Sequence, residues 1–263
     1  MVSLRIATLL KLTRADGATL AFLVFLLPCY VHSADAPRAV SVAIPIFLMA
    51  LCTFILNNIN DADRDQVNHP DRPIPSGSIS LHTAALVYSL VFVSCIITTR
   101  IFIDTQVQYY YLGGLLLSIN YSTIVNNLTY LKNPYAALGH ALPIVLVGKV
   151  CGHDAVPAFL APAVFLFSLG REILMDLRDV AGDGATWVKA VSPASVIGLA
   201  FGLQAISIVL LIPCVHGWAT TAALAVIAAM FAILLFLAVS GRPAAVLVRL
   251  MKLQLGAGLL FLI

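Results

Sequence analysis

Eight of the 12 acidic residues in this 263-residue sequence fall in two short windows. The first holds Asp61, Asp63, Asp65 and Asp71, and the second holds Glu172, Asp176, Asp179 and Asp183. Asn57, Asp61 and Asp65 are spaced i, i+4, i+8, so a helix running through them carries them as one stripe, with Asp63 on nearly the opposite face. Pro70, Pro73 and Pro75 then end that helix in a stiff loop. In the second window the acids recur at i, i+4, i+7 and i+11, again one helical face, before Gly182 and Gly184 release the chain. Carboxylates set side by side repel, and they are costly to remove from water unless a cation neutralises them. Hard oxygen ligands in this number suit Mg²⁺, which is commonly shared with phosphate groups. Two such stripes facing each other would cage a diphosphate between metals. Arg72, Arg178 and Lys189 are near enough in sequence to bind its oxygens and stabilise charge on it as it leaves. Taken singly, each window also reads as a solvated loop. Two windows of matching period that hold most of the acid favour a site.

The elements that must position these stripes are apolar. Charged residues make up 10% of the sequence, against about 25% in soluble domains, while hydrophobic residues reach 61% and mean hydropathy is +1.00. This excludes a disordered chain, a nucleic-acid-binding surface and an ordinary cytosolic enzyme. The partner it implies is the lipid bilayer, with no nucleic acid. Nine segments are candidate spans, each of which must be a helix in lipid: 18–32, 40–56, 83–99, 107–124, 135–150, 156–175, 191–213, 219–240 and 244–263. The first is read as a span and not as a cleaved signal peptide, since no small-residue cleavage site follows it. With the N-terminus inside, 12 of the 15 Lys and Arg residues lie in or nearest inside segments, and only Arg38, Arg100 and Lys149 lie outside. That bias fits the positive-inside rule and puts both acidic windows on the cytoplasmic side, after the second and sixth spans. The five cysteines are isolated and are expected to be small buried apolar residues, not disulfides or zinc ligands.

These residues resemble the UbiA superfamily of intramembrane prenyltransferases, over nearly the whole chain. The family's N-D-x-x-D-x-x-x-D motif is matched by the run from Asn57 to Asp65, with Asn58 in place of its first Asp. Asn68, Pro70, Arg72, Pro73, Ile74 and Gly77 match the element that follows. Asp176, Asp179 and Asp183, with Glu172 upstream, match the second acidic motif, and Tyr121, Ser122 and Asn133 match a third element. The wording of both acidic motifs is most like archaeal lipid-ether prenyltransferases. The resemblance implies an all-α fold of about nine transmembrane helices around a central cavity, with residues 1–263 as a single domain. It implies Mg²⁺ as cofactor and two further partners, a prenyl diphosphate and a hydrophobic acceptor molecule. The implied metal ligands are Asn57, Asp61, Asp65, Glu172, Asp176, Asp179 and Asp183. The implied catalytic group is Asp61, Asp65, Asp176, Asp179 and Tyr121, whose ring would steady an allylic cation. Arg72, Arg178, Lys189, Asn133 and Lys132 would hold substrate. The basic residue usual four or five positions after the Tyr is absent, and none appears before Lys132. Such a departure fits an unusual acceptor, and it equally fits a membrane terpene cyclase of the same superfamily. A non-catalytic transporter or scaffold is the contrasting class. Transporters place ionisable groups near the bilayer midplane, whereas these acids cluster at span ends.

Overall fold

The computed structural model describes residues 2–33, 35–125, 128–151, 156–182 and 187–257. They form eleven α-helices in two compact units that meet in sequence between Asn127 and Leu128, and no strand occurs among them.

The first unit holds α1 (Val2–Leu12), α2 (Ala15–Ser33), α3 (Ala36–Asn60), α4 (Ala62–Asn68), α5 (Leu81–Phe102) and α6 (Thr105–Thr123). Local chemistry sets the helix starts. The Asp35 carboxylate accepts from the Arg38 N–H at 3.1 Å at the head of α3, and the Ser80 hydroxyl accepts from Thr83 N–H at 3.1 Å at the head of α5. α3 packs against α2, α5 and α6. Leu12, Ile55, Ile79 and Ala84 form a buried cluster that ties α1, α3, the proline-rich loop and α5 together.

The second unit holds α7 (Lys132–Cys151), α8 (Leu160–Arg178), α9 (Pro193–Leu211), α10 (Trp218–Val239) and α11 (Ala244–Ala257), with a short 3-10 helix at Trp187–Ala190. α8 is its hub and packs against α7, α9 and α11. Leu174, Ala200, Leu247 and Met251 are fully buried between them. α8 and α9 approach closely because Gly170 has no side chain: a Cβ there would lie 2.6 Å from the Ala200 carbonyl oxygen.

The protein is an all-helical, polytopic membrane protein. Each expected span falls on a helix, and six helices among the described residues are long and apolar enough to cross a bilayer: α2, α3, α5, α7, α9 with its 3-10 extension, and α10. Only 11% of the apolar window of α5 and 22% of that of α10 is buried, a degree of apolar exposure that lipid tolerates and water does not. α6 falls short of that measure because Gln106, Gln108 and Asn120 interrupt it, and α8 because Arg171, Glu172, Asp176 and Arg178 occupy its end. Only the first 14 residues of the ninth expected span belong to α11, and the remainder lies outside the described residues. One expectation is corrected. Cys29 and Cys151 are disulfide-bonded, whereas Cys52, Cys95 and Cys214 are free and buried. The isolated spacing of the cysteines carried no hint of this.

Candidate active site

The first acidic stripe survives a break in its helix. α3 ends at Asn60 and α4 begins at Ala62, with Asp61 as the joint. Asp61 N–H still donates to Asn57 carbonyl at 2.8 Å, and Asp65 N–H to Asp61 carbonyl at 2.8 Å, so the fourth-residue register runs straight through. Asn57, Asp61 and Asp65 therefore share a face, and Asp63 is exposed, as the spacing predicts. The proline-rich loop then turns back through hydrogen bonds from Arg72 N–H to His69 carbonyl (3.0 Å) and from Ile79 N–H to Pro73 carbonyl (2.9 Å). Gly77 permits the turn with φ of +71°. The outcome is that Arg72 donates from Nη1 to Asp65 Oδ2, and Asp65 is only 3% exposed. Arg64 lies 3.6 Å from Asp61 Oδ1. Ser122, at the end of α6, donates its hydroxyl to Asn57 Oδ1 and accepts at its carbonyl from Asn60 Nδ2 at 2.8 Å. Tyr121 beside it is half-buried.

The second stripe lies on the last turns of α8. Glu172 and Asp176 are buried, and Asp179 caps the helix end. Asp176 is held from both sides by the first turn of α7. Lys132 Nζ sits 2.7 Å from Oδ1, and Asn133 Nδ2 donates to Oδ2 at 2.8 Å. Both partners are buried themselves. Arg178 makes a bidentate pair with Asp179, from Nε to Oδ1 at 2.6 Å and from Nη2 to Oδ2 at 2.5 Å. Arg171 Nη1 donates to Glu172 Oε1 at 2.9 Å. Lys189 is exposed on the 3-10 helix. Asp183 lies outside the described residues.

The geometry thus gathers Asn57, Asp61, Asp65 and Arg72 in one unit, and Glu172, Asp176, Asp179, Lys132, Asn133 and Arg178 in the other. Among the described residues, no three His, Cys, Asp or Glu side chains converge as a ready-made metal cage. Each described stripe carboxylate instead has a basic partner. The donor set is nonetheless all hard oxygen, partly desolvated and anionic, which is the chemistry Mg²⁺ takes. Two features escaped sequence reasoning. The third-element Ser122 acts directly on Asn57. Asn58, where relatives carry Asp, is 3% exposed and points away from the stripe: its amide donates to the Leu12 carbonyl (2.7 Å) and the Phe54 carbonyl (3.0 Å). Its role is to tie α1 to α3. The only available signal was the neutral residue itself.

The sequence pattern of the UbiA prenyltransferase family matches residues 18–256. This chain belongs to that family. Among its relatives, the digeranylgeranylglyceryl phosphate synthase of Thermococcus sibiricus is 28% identical over 185 residues, 66% of this chain and 64% of that protein. The protein of the same name from Natronomonas pharaonis is 30% identical over 197 residues, 70% of this chain and 68% of that one. The match thus spans a little under two thirds of the length of the Thermococcus protein. Two solved UbiA homologs share the fold. One is the apo form from Aeropyrum pernix K1, with TM-score 0.77 at 16% identity, covering 94% of this chain and 95% of that one. The other is an Archaeoglobus fulgidus homolog bound to GPP and Mg²⁺, with TM-score 0.63 at 20% identity, covering 97% and 99%. The UbiA family match runs through both compact units.

Proposed function

We propose that this protein is an Mg²⁺-dependent intramembrane prenyltransferase. It would ionise a polyprenyl diphosphate and join the prenyl group to a lipophilic acceptor, with residues 1–263 acting as one domain. The observation that carries the reading is the buried carboxylate with its own basic clamp in each acidic window, Asp65 with Arg72 and Asp176 with Lys132 and Asn133. Asn57, Asp61 and Asp65 in one window, and Glu172, Asp176, Asp179 and Asp183 in the other, would hold the metal. Bound there, Mg²⁺ supplies positive charge to the departing diphosphate. The chain's own groups do the rest. Arg72, Lys132, Asn133, Arg178 and Lys189 bind diphosphate oxygens, and their charge favours cleavage of the bond between the prenyl C1 and oxygen. The ring of Tyr121 offers its π-face to the allylic cation. The acceptor oxygen or carbon then bonds to C1 and loses its proton. Names of the relatives support a glyceryl phosphate lipid as acceptor.

We place the N-terminus and both acidic windows on the cytoplasmic side, on the basic-residue bias. Cys29 and Cys151 support this, since both lie near the ends of α2 and α7 that this topology puts outside, where disulfides persist.

The test is diphosphate release from geranyl, farnesyl and geranylgeranyl diphosphates in Mg²⁺-supplied membranes, with and without a glyceryl phosphate lipid. Asp65→Ala and Asp176→Ala should each abolish release, and full activity in either would sink the metal reading. A cyclic hydrocarbon formed without acceptor would replace the transferase with a terpene cyclase.

A further inference from the structure

Hydroxyls on the helices of this chain mostly turn back on their own helix. Thr53 donates to the Met49 carbonyl at 2.9 Å and Thr99 to the Cys95 carbonyl at 2.7 Å, which satisfies a hydroxyl where water is scarce. Ser168, on α8, does not. It is 1% exposed, and among the described residues its Oγ is the one buried hydroxyl without a hydrogen-bond partner. One turn on, Arg171 gives Nη1 to Glu172 at 2.9 Å, yet its Nε–H is buried with no partner. Ser168, Arg171 and Glu172 are spaced i, i+3, i+4 and share a face of α8. Unmet polar groups are costly inside a membrane, and two on one face mark a place that a ligand's polar atom would complete. The third group comes from α7. Contacts of Lys132 and Asn133 with Asp176 fix the register of the two antiparallel helices. His140 is two turns beyond Asn133 on the same face, about 10 Å along the helix. Arg171 and Ser168 precede Asp176 by about 8 Å and 12 Å, so His140 is level with them. It interacts electrostatically with Arg171 and Glu172. Its Nδ1 lies 2.9 Å from the Ala136 carbonyl. A carbonyl only accepts, so Nδ1 carries the hydrogen, and in the neutral ring Nε2 is left as an acceptor.

Donors and acceptors together select the ligand group. Ser168 O–H and Arg171 Nε–H call for an oxygen that accepts, and His140 Nε2 calls for one that also carries hydrogen. A hydroxyl does both. A carbonyl has no hydrogen for His140, and an ammonium cannot accept from Arg171. Glu172 already balances the charge of Arg171, so a phosphate or carboxylate would arrive as uncompensated buried charge. The group also lies one to two turns deeper along α8 than Asp176, where the carbon end of a prenyl diphosphate held at Asp176 would reach.

We infer that Ser168, Arg171 and His140 bind the hydroxyl of a lipophilic alcohol. Naming that hydroxyl as the acceptor's nucleophile rests on the transferase reading. The test uses the full chain in phosphatidylcholine nanodiscs, with radiolabelled 1-O-hexadecylglycerol and its 2,3-di-O-methyl ether as probes and empty discs as background. The glycerol ether should bind, and the methylated probe should bind at least about 10-fold more weakly, since it has no hydrogen for His140. Ser168→Ala should weaken the glycerol ether about 5-fold, the scale of one neutral hydrogen bond. His140→Leu should do the same, and His140→Gln, whose amide oxygen accepts, should retain binding. Without ligand, Ser168→Ala should unfold no earlier than wild type, because it removes an unmet hydroxyl, whereas a serine that serves only the fold would lower the midpoint. In turnover, Ser168→Ala should raise KM for a glyceryl phosphate acceptor about 5-fold and leave KM for geranylgeranyl diphosphate alone. Equal binding of the two probes, or of the glycerol ether by wild type, Ser168→Ala and His140→Leu, would leave these groups to an ordered water and overturn the proposal. Binding is read without turnover. A protein that binds the glycerol ether in this way but releases no diphosphate would refute the transferase and leave the hydroxyl site standing. Transfer that proceeds unchanged in Ser168→Ala and His140→Leu would refute the hydroxyl site and leave the transferase standing.

Discussion

At the residue scale, Asn58 shows how a motif position can change its work. Where relatives carry Asp, this chain places a buried amide whose two N–H bonds meet two backbone carbonyls, of Leu12 and Phe54. A carboxylate there would set acceptor against acceptor in a site 3% exposed. Asn58→Asp, which restores the family wording, should therefore lower stability by about 3 kcal/mol, the scale of a buried charge left without donors. Thermal unfolding in detergent, with Mg²⁺ titration alongside, checks it. An Asn58→Asp protein as stable as wild type and with tighter Mg²⁺ would mean that the side chain belongs to the metal stripe after all. Much at this scale was legible in the sequence. The fourth-residue spacing of Asn57, Asp61 and Asp65 gave their shared face, and the exposure of Asp63 followed from the same count. The partners were not legible. Asp65 with Arg72 depends on a proline loop folding back, and Asp176 with Lys132 joins residues 44 positions apart through helix packing. Nothing in the local pattern encodes either one.

At the element scale, α8 must carry Glu172 and Asp176 at the right height against α9, and Gly170 sets that height. A Cβ at 170 would meet a backbone oxygen, not a side chain that could swing aside. Gly170→Ala should thus force the helices apart and cost about 1–3 kcal/mol by overpacking. The acids ride on the same helix, so turnover should fall along with the unfolding midpoint. Gly198→Ala and Gly202→Ala on α9 meet open space and serve as controls. Each should be neutral or gain up to about 1 kcal/mol of helix propensity. Equal behaviour of all three variants would show that the α8–α9 contact does not set the site. Sequence periodicity located the spans well, because a membrane helix must be apolar along its length whatever packs beside it. It passed over α1, which is short and whose Lys11 keeps it out of any apolar window.

At the scale of the whole molecule, the question is which side of the membrane faces which loop. Within the first unit, the ends of the helices agree with strict alternation. Arg38, before the body of α3, pairs at 2.8 Å with Asp104, between α5 and α6. At the opposite end, Asn57 and Asn60 of α3 meet Ser122 of α6. The proposed direction rests on the basic residues: with the N-terminus inside, 12 of the 15 are assigned to cytoplasmic segments, as the positive-inside bias favours. The native thiols make labelling clean, being either free but buried or disulfide-bonded. Ser76 follows the first acidic window and Gln106 opens α6, and both are exposed. A membrane-impermeant maleimide applied to intact cells should label Gln106→Cys, and should label Ser76→Cys only after the membrane is opened. Labelling of Ser76→Cys in sealed cells would reverse the orientation. It would also put Cys29 and Cys151 in the reducing compartment, where their disulfides would not be expected to persist.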